Sequence, residues 1–312
     1  GLDSETREIA GYALMLTLGV AIMILGWLLP TGNSFPFWAA ALAPPTWLVI
    51  ERGNYDSLVF LIVVVASVAI SRGKNLIGPF MLVIAALLKV FPIASIATLF
   101  FYSRYRSAFA GSTLVGLVVL LGISFFWEFT RMSQNTPNPT NGFGLATLPA
   151  QISGYLFPGI SEPQSWLAGL GMFSAMFLAV ALGYKAPNRL MRYDGVARLA
   201  SGLNGNAVAH SLFIFGSATF LTAYATGWNY DYRLIFLLIP LVATLRLEES
   251  SGIAGTLLTA LILLSLWLSF LMPPMFQIIG DGVNLVVSCT LVAILIELIR
   301  VERRQVRGPS LK

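Results

Sequence analysis

The sequence contains little charge, cysteine or histidine. Charged residues make up 11% of its 312 residues, and it has one Cys and one His. A soluble domain carries about 25% charged residues, so this composition excludes a soluble enzyme, a nucleic-acid-binding protein and a disordered chain. The single Cys excludes a disulfide scaffold and a multi-Cys metal site, and the single His excludes a His-cluster zinc site. We therefore expect no metal site.

Apolar residues are abundant, at 57% of the chain. A helix needs about 20 of them to cross a bilayer, and here the apolar runs are continuous rather than alternating. The runs predict an all-α, polytopic transmembrane helix bundle of about 10 or 11 segments, which forms a single integral membrane domain over residues 1–312 and includes a short helical hairpin at 75–102. The predicted segments are 11–29, 35–50, 57–71, 75–89, 92–102, 108–126, 165–182, 206–224, 232–246, 253–272 and 283–300.

Lysine and arginine set the expected orientation, because these residues concentrate in cytoplasmic loops. Five basic clusters are placed in the cytoplasm: 72–74, 104–106, 185–198, Arg246 and 300–312. This arrangement predicts a multi-pass protein of the plasma (inner) membrane with a cytoplasmic C-terminus. It assigns 127–164 to an extracytoplasmic loop, 183–205 to a cytoplasmic loop and 301–312 to a cytoplasmic tail.

The apolar run 76–102 has basic clusters on both sides, and both clusters are expected in the cytoplasm. A single crossing cannot satisfy both, so the run should cross and return, with a break near Lys89–Pro92. Lys89 would then lie in a wet pocket on the extracytoplasmic side. An ionisable residue within an apolar run indicates a functional site, and the structural alternative is a side chain that extends to the interface.

The tripeptide Asn-Tyr-Asp occurs twice on the predicted outer face, at 54–56 and 229–231. Both copies precede a helix that runs inward. Asp and Asn are good helix caps and Tyr favours the interface, so capping alone is one explanation.

Arg52 and Arg233 adjoin the two copies, on the face where positive charge is not expected. The structural explanation is pairing with a neighbouring carboxylate, Glu51 or Asp231. The functional alternative is binding of an anionic phosphate, for which the bidentate guanidinium is well suited.

Two local features predict details of the helices. The pair Pro44–Pro45 should shorten or kink the segment 35–50. Glu297 and Arg300 are three residues apart near the inner end of the last segment, where a helix ion pair is expected.

The stretches 44–60 (PPTWLVIERGNYDSLVF) and 84–92 (IAALLKVFP) resemble a bacterial family of polytopic GT-C-type membrane glycosyltransferases. Members show a Gly-Asn element before one helix and then an apolar run that ends in Leu-Lys-x-x-Pro. The resemblance covers about residues 40–102 well and Trp228–Pro240 weakly. It implies transfer of a mannose- or arabinose-like sugar from a polyprenyl-phosphate donor to an acceptor on the extracytoplasmic face, with membrane lipids and the lipid-linked sugar as partners, no nucleic acid and no cofactor.

Such a reaction needs a carboxylate as general base and cations that hold the leaving phosphate. Trp127, Trp228 and Tyr230 could form a floor for a sugar ring. The candidate bases are Asp56, Asp231 and Glu128, and the candidate substrate-binding residues are Arg52, Asn54, Lys89, Arg131, Trp228, Tyr230 and Arg233.

The family's usual catalytic acid lies in the first large extracytoplasmic loop, and no residue of this sequence matches it. We therefore expect either that the chain lacks its N-terminal part, which would carry the catalytic loop, or that it is not active alone. The resemblance assigns the base to no residue here. Two alternative functions stay open: a transporter or flippase for a lipid-linked substrate, and a non-catalytic scaffold subunit.

Overall fold

The computed structural model describes residues 4–30, 34–101, 142–143, 194–225, 229–271 and 277–306. Within these ranges the chain is a helix bundle with one two-residue strand pair, in agreement with the predicted all-α class. The elements are α1 (Ser4–Trp27), α2 (Phe35–Ala41), α3 (Pro44–Arg52), α4 (Asp56–Ser71), α5 (Ile77–Leu88), α6 (Ile93–Phe101), β1 (Gly142–Phe143), α7 (Asp194–Gly205), α8 (Ala207–Ala225), β2 (Asn229–Tyr230), a 3₁₀ helix (Asp231–Leu237), α9 (Leu238–Leu245), α10 (Glu248–Leu271) and α11 (Gln277–Val306).

Three stretches of the described residues are long and apolar enough to cross a membrane: Glu8–Trp27, Ala207–Ala225 and Ile278–Gln305. Shorter apolar helices accompany them at Asp56–Ser71, Ile77–Leu88 and Gly252–Leu268. These helices confirm the prediction of a transmembrane bundle. The predicted segments 108–126 and 165–182 lie outside the described residues.

The run 76–102 is divided into α5 and α6, as predicted. Lys89 leaves the helix with extended backbone angles, φ −151° and ψ 138°, while its N–H still donates to the Ala85 carbonyl at 3.0 Å. The next helix begins at Ile93, directly after Pro92, which lacks the N–H that a continuous helix needs. The interruption therefore falls between Lys89 and Pro92.

The segment 35–50 is also divided, into α2 and α3, with Pro44 and Pro45 in the first turn of α3. Proline is favoured there because the first helical N–H groups have no intrahelical partner. Tryptophan side chains satisfy carbonyls around the break: Trp267 Nε1 donates to Ala39 O and Trp47 Nε1 donates to Leu42 O, both at 3.1 Å.

Helix α7 was not predicted, and it occupies part of the expected cytoplasmic loop 183–205. Its apolar face is short, with Leu199 and Leu203 one turn apart and both fully buried. A helix of 12 residues with one apolar stripe has no membrane-length run, which is why the sequence predicted a loop. The Asn204 side chain donates to Gln305 Oε1 of α11 at 2.9 Å.

Residues predicted on the extracytoplasmic side and residues predicted on the cytoplasmic side lie at opposite ends of the bundle. At the first end, which we call the motif end, Asp56 pairs with Arg233. At the opposite end, Arg246 donates a hydrogen bond to the carbonyl of Leu28, which follows α1. The Glu297–Arg300 pair is also present, at 3.4 Å, as predicted.

Candidate functional site

Two helix faces meet at the motif end. In α4, Asp56 and Phe60 are one turn apart and share a face. In the 3₁₀ helix, Arg233 and Phe236 share a face, because this helix has three residues per turn. The Arg233 Nε lies 3.3 Å from Asp56 Oδ2, and the Phe236 and Phe60 rings meet edge-to-face with centroids 5.9 Å apart. The 3₁₀ geometry thus brings both side chains onto α4 together.

The Asp56–Arg233 ion pair is removed from solvent. Asp56 is 0% exposed and Arg233 is 7% exposed. The capping explanation for Asp56 is wrong, because its carboxylate pairs with Arg233 and the Asn54 Oδ1 instead accepts the Asp56 N–H at 3.1 Å. The structural explanation for Arg233, pairing with a carboxylate, is observed with a different partner: Arg233 pairs with Asp56 and not with its neighbour Asp231. In a 3₁₀ helix with three residues per turn, side chains two positions apart point in different directions. Arg233 therefore points away from Asp231 and reaches Asp56 of α4.

Arg52, beside the first tripeptide, lies against the residue directly after the second one. Its Cζ lies 5.9 Å from the centroid of the Tyr232 ring, and its charge acts on Asp231. Gly53 ends α3 in the left-handed conformation, with φ 52°, a turn that glycine adopts without strain. The two segments therefore exchange partners: Arg233 pairs with Asp56 of the first copy, and Arg52 lies against Tyr232, directly after the second copy.

Asp231 lies in a different environment from Asp56. It is mostly buried but, unlike Asp56, keeps some contact with solvent, and it lies just before the predicted apolar segment 232–246, outside the membrane-spanning segments. Burial raises the pKa of its carboxyl to about 7, and the nearby Arg52 guanidinium opposes part of that rise. A carboxyl with this pKa exchanges protons near neutral pH, which suits a general base.

Lys89 lies at the break between α5 and α6 and is half-buried. Two residues later, the Phe91 ring lies under the Arg233 guanidinium, with the Cζ 5.2 Å from its centroid. No hydrogen bond or ion pair of the Lys89 ammonium is found within the described residues. Lys89 is therefore a cation at the same end of the bundle as Arg52 and Arg233.

The comparison with known families matches residues 6–203 to glycosyltransferase family 87. This range covers more than half of the chain. The protein belongs to glycosyltransferase family 87. The predicted membrane glycosyltransferase is thereby confirmed at the level of the family. No curated protein and no solved structure matches the chain.

The family match includes the first tripeptide and Lys89, and it ends before the second tripeptide. In this family 87 member the structure adds the second copy to the same site. It brings together five of the predicted site residues at the motif end: Arg52, Asn54, Asp56, Asp231 and Arg233. Lys89 lies at the same end, two residues from Phe91, which contacts Arg233.

The remaining predicted site residues lie outside the described residues or are described through their backbone alone. Glu128, Arg131 and Trp228, together with Trp127, lie outside the described residues. Tyr230 is described through its backbone, which pairs antiparallel with Gly142 in a two-residue ladder. The ladder joins the predicted loop 127–164 to the segment immediately before Asp231.

Three aromatic residues of the site were not predicted from the sequence: Phe91, Tyr232 and Phe236. The Phe91 and Phe236 rings meet edge-to-face at 5.1 Å, and Tyr232 contacts both Arg52 and the side chain of Asn54. All three belong to apolar runs, where aromatic residues are common for reasons of packing alone. The one feature of the sequence that pointed to any of them is that Tyr232 directly precedes Arg233, a predicted site residue.

Proposed function

We propose that this family 87 glycosyltransferase transfers a mannose- or arabinose-like sugar from a polyprenyl-phosphate donor to an acceptor hydroxyl on the extracytoplasmic face. The observation that carries the proposal is the exchange of partners between the two Asn-Tyr-Asp copies. It places Arg52 near a carboxyl of raised pKa, that of Asp231, at one end of a membrane-embedded bundle. Lys89 lies at the same end, two residues from Phe91, whose ring contacts Arg233. A lipid-borne substrate reaches such a site from the bilayer.

The roles follow from the different environments of the charged groups. Asp231 takes the proton from the acceptor hydroxyl, whose oxygen then attacks the anomeric carbon of the donor sugar. The bond between that carbon and the phosphate oxygen breaks, and the electron pair leaves with the polyprenyl phosphate. Lys89 and Arg52 stabilise the negative charge that develops on the phosphate. Attack on the face opposite the leaving group inverts the anomeric configuration.

Asp56 is assigned a positioning role. Its carboxylate is fully buried against Arg233, so it holds the second tripeptide against α4 rather than meeting the acceptor. Asn54 contributes through its turn, in which its side chain fixes the first residue of α4 and contacts Tyr232.

The decisive experiment is Lys89→Ala in protein reconstituted into vesicles that contain polyprenyl-phosphate mannose or polyprenyl-phosphate arabinose. Removal of one preorganised charge that stabilises the leaving phosphate is expected to lower kcat/KM by about 100-fold or more. The matched control is Lys74→Ala, because Lys74 is an exposed lysine between α4 and α5 at the opposite end, and it should leave the rate unchanged.

The proposal is rejected if Lys89→Ala transfers sugar at the normal rate, or if the protein uses a nucleoside diphosphate sugar instead of the lipid-linked donor. Movement of intact lipid-linked sugar across the vesicle without transfer to an acceptor would favour the transporter alternative. The family membership supports the enzyme over that alternative and over the scaffold.

A further inference from the structure

We propose that Phe91 is a positioning residue for Lys89, which it fixes by packing against Arg233 and Phe236 of the 3₁₀ helix that follows the second Asn-Tyr-Asp copy. The inference deepens the proposed function and rests on it for the role of Lys89. It concerns the break between α5 and α6, where Phe91 contacts both an aromatic ring and the Arg233 guanidinium.

The break is anchored on its α6 side. Ser95, four residues after Phe91, is fully buried, and its hydroxyl hydrogen-bonds to the Phe215 carbonyl and to the Thr219 hydroxyl of α8, both at 2.8 Å. The start of α6 is thereby attached to a long central helix. The position of Lys89 then depends on what holds the residues between Lys89 and Ser95.

Phe91 is the residue that holds them. It is 3% exposed, and its ring meets Phe236 edge-to-face at 5.1 Å while the Arg233 Cζ lies 5.2 Å from its centroid. Both partners share one face of the 3₁₀ helix. The break therefore packs against the face that also carries the ion pair with Asp56.

The Arg233 guanidinium is bounded by a carboxylate and an aromatic ring. The Asp56 carboxylate lies against its Nε, and the face of the Phe91 ring lies against its Cζ. The second contact is favourable because the face of an aromatic ring carries negative potential. Because Lys89 is two residues from Phe91, movement of this ring should move Lys89 relative to the charges beside the second tripeptide.

Phe60 provides a matched control. It is a fully buried phenylalanine that also packs edge-to-face on Phe236, at 5.9 Å. Within the described residues it makes no ring contact with Arg233. Phe60→Leu thus removes a comparable ring from the same cluster and leaves both the break and the cation–π contact in place.

Two measurements test the inference with Phe91→Leu and Phe60→Leu. The first is sugar transfer from a polyprenyl-phosphate donor: both variants should lose similar thermal stability, but only Phe91→Leu should lower kcat, by about 10-fold. The second is the rate at which an amine-reactive reagent modifies Lys89, measured by peptide mass spectrometry relative to exposed Lys74 of the same chain. This ratio should rise in Phe91→Leu only.

Equal falls of kcat in the two variants, or an unchanged Lys89 ratio in Phe91→Leu, would overturn the positioning role and leave Phe91 as a core residue. If the unmodified protein transfers no sugar from any polyprenyl-phosphate donor, the proposed function fails. The labelling ratio then decides the positioning of Lys89 by itself, because that measurement does not depend on the reaction.

Discussion

Asp56 and Asp231 end the same tripeptide, yet the protein places them in opposite electrostatic settings. Asp56 is 0% exposed and ion-paired to Arg233, whereas Asp231 keeps some contact with solvent and has a pKa of about 7. The tripeptide before α4 is followed by an α-helix and the other by a 3₁₀ helix. A short motif thus supplies side chains, and the element that follows it decides whether a carboxylate holds the structure or takes up protons.

The largest expected difference between the two concerns stability. Asp56→Ala should reduce the free energy of unfolding by about 3–5 kcal/mol, because it leaves the buried Arg233 charge without its counter-ion. Asp231→Ala should cost far less. Thermal unfolding in detergent measures both, and Asp56→Leu combined with Arg233→Met, which replaces the pair by apolar groups, should recover much of the loss. Equal losses in the two single variants would contradict the comparison.

The second difference concerns the reaction. Asp231→Asn should lower kcat by about 10²–10⁴-fold with the fold intact, as expected when a general base is removed. Asp56→Asn should act mainly through stability, so its kcat per folded molecule should change less. Transfer assays normalised to folded protein separate the two effects. The reverse result, with Asp231→Asn active and Asp56→Asn inactive while folded, would make Asp56 the base.

The third difference is a dependence on pH. Since Asp231 must be ionised to act as a base, kcat/KM should rise as the pH rises through about 7. Arg52→Gln removes a charge that lowers this pKa, so the rising limb should move to higher pH. A pH–rate profile that does not move in Arg52→Gln would show that the Arg52 charge does not affect the pKa of the catalytic base.

The same raised pKa predicts a slope in stability. Because the folded pKa of Asp231 lies above its unfolded value, its contribution is fully present below the unfolded pKa, about 4, and is lost as the pH rises through about 7. Unfolding midpoints measured between these values should fall with rising pH. In Asp231→Asn this part of the slope should vanish.

The smallest effect is expected at the opposite end of the bundle. Glu297→Gln breaks the pair between the buried Glu297 carboxylate and Arg300, whose side chain is 31% exposed, so that half of the pair stays in contact with solvent. Such helix pairs contribute about 0.2–0.5 kcal/mol, so the unfolding midpoint should hardly move, and the rate of sugar transfer should not change. A loss as large as that of Asp56→Ala would show that burial does not explain the difference between the two pairs.

Much of this arrangement was predictable from the sequence. The break at Lys89–Pro92 followed from the charge on both flanks of one apolar run, and the gathering of Arg52, Asp231 and Lys89 at one end followed from the sorting of basic residues. These are global constraints, and a sequence records them directly.

The exchange of partners was not predictable. Arg233 has Asp231 two residues away, and only the 3₁₀ geometry directs it to Asp56 instead. Phe91 was missed for a related reason, because an apolar run hides the difference between a ring that fills space and a ring that contacts a cation. Short-range geometry decides both, and local sequence does not specify it.

The Asp56–Arg233 pair joins residues that are 177 positions apart. At a synthesis rate of about 5–20 residues per second, the aspartate emerges from the ribosome about 10–35 s before its arginine. During that interval Asp56 lacks Arg233, and an unpaired carboxylate is expensive to hold in lipid. The nascent chain must therefore keep this end of α4 near water, or keep its carboxyl protonated, until the 3₁₀ helix is made, so the two halves of the site assemble in a fixed order during insertion.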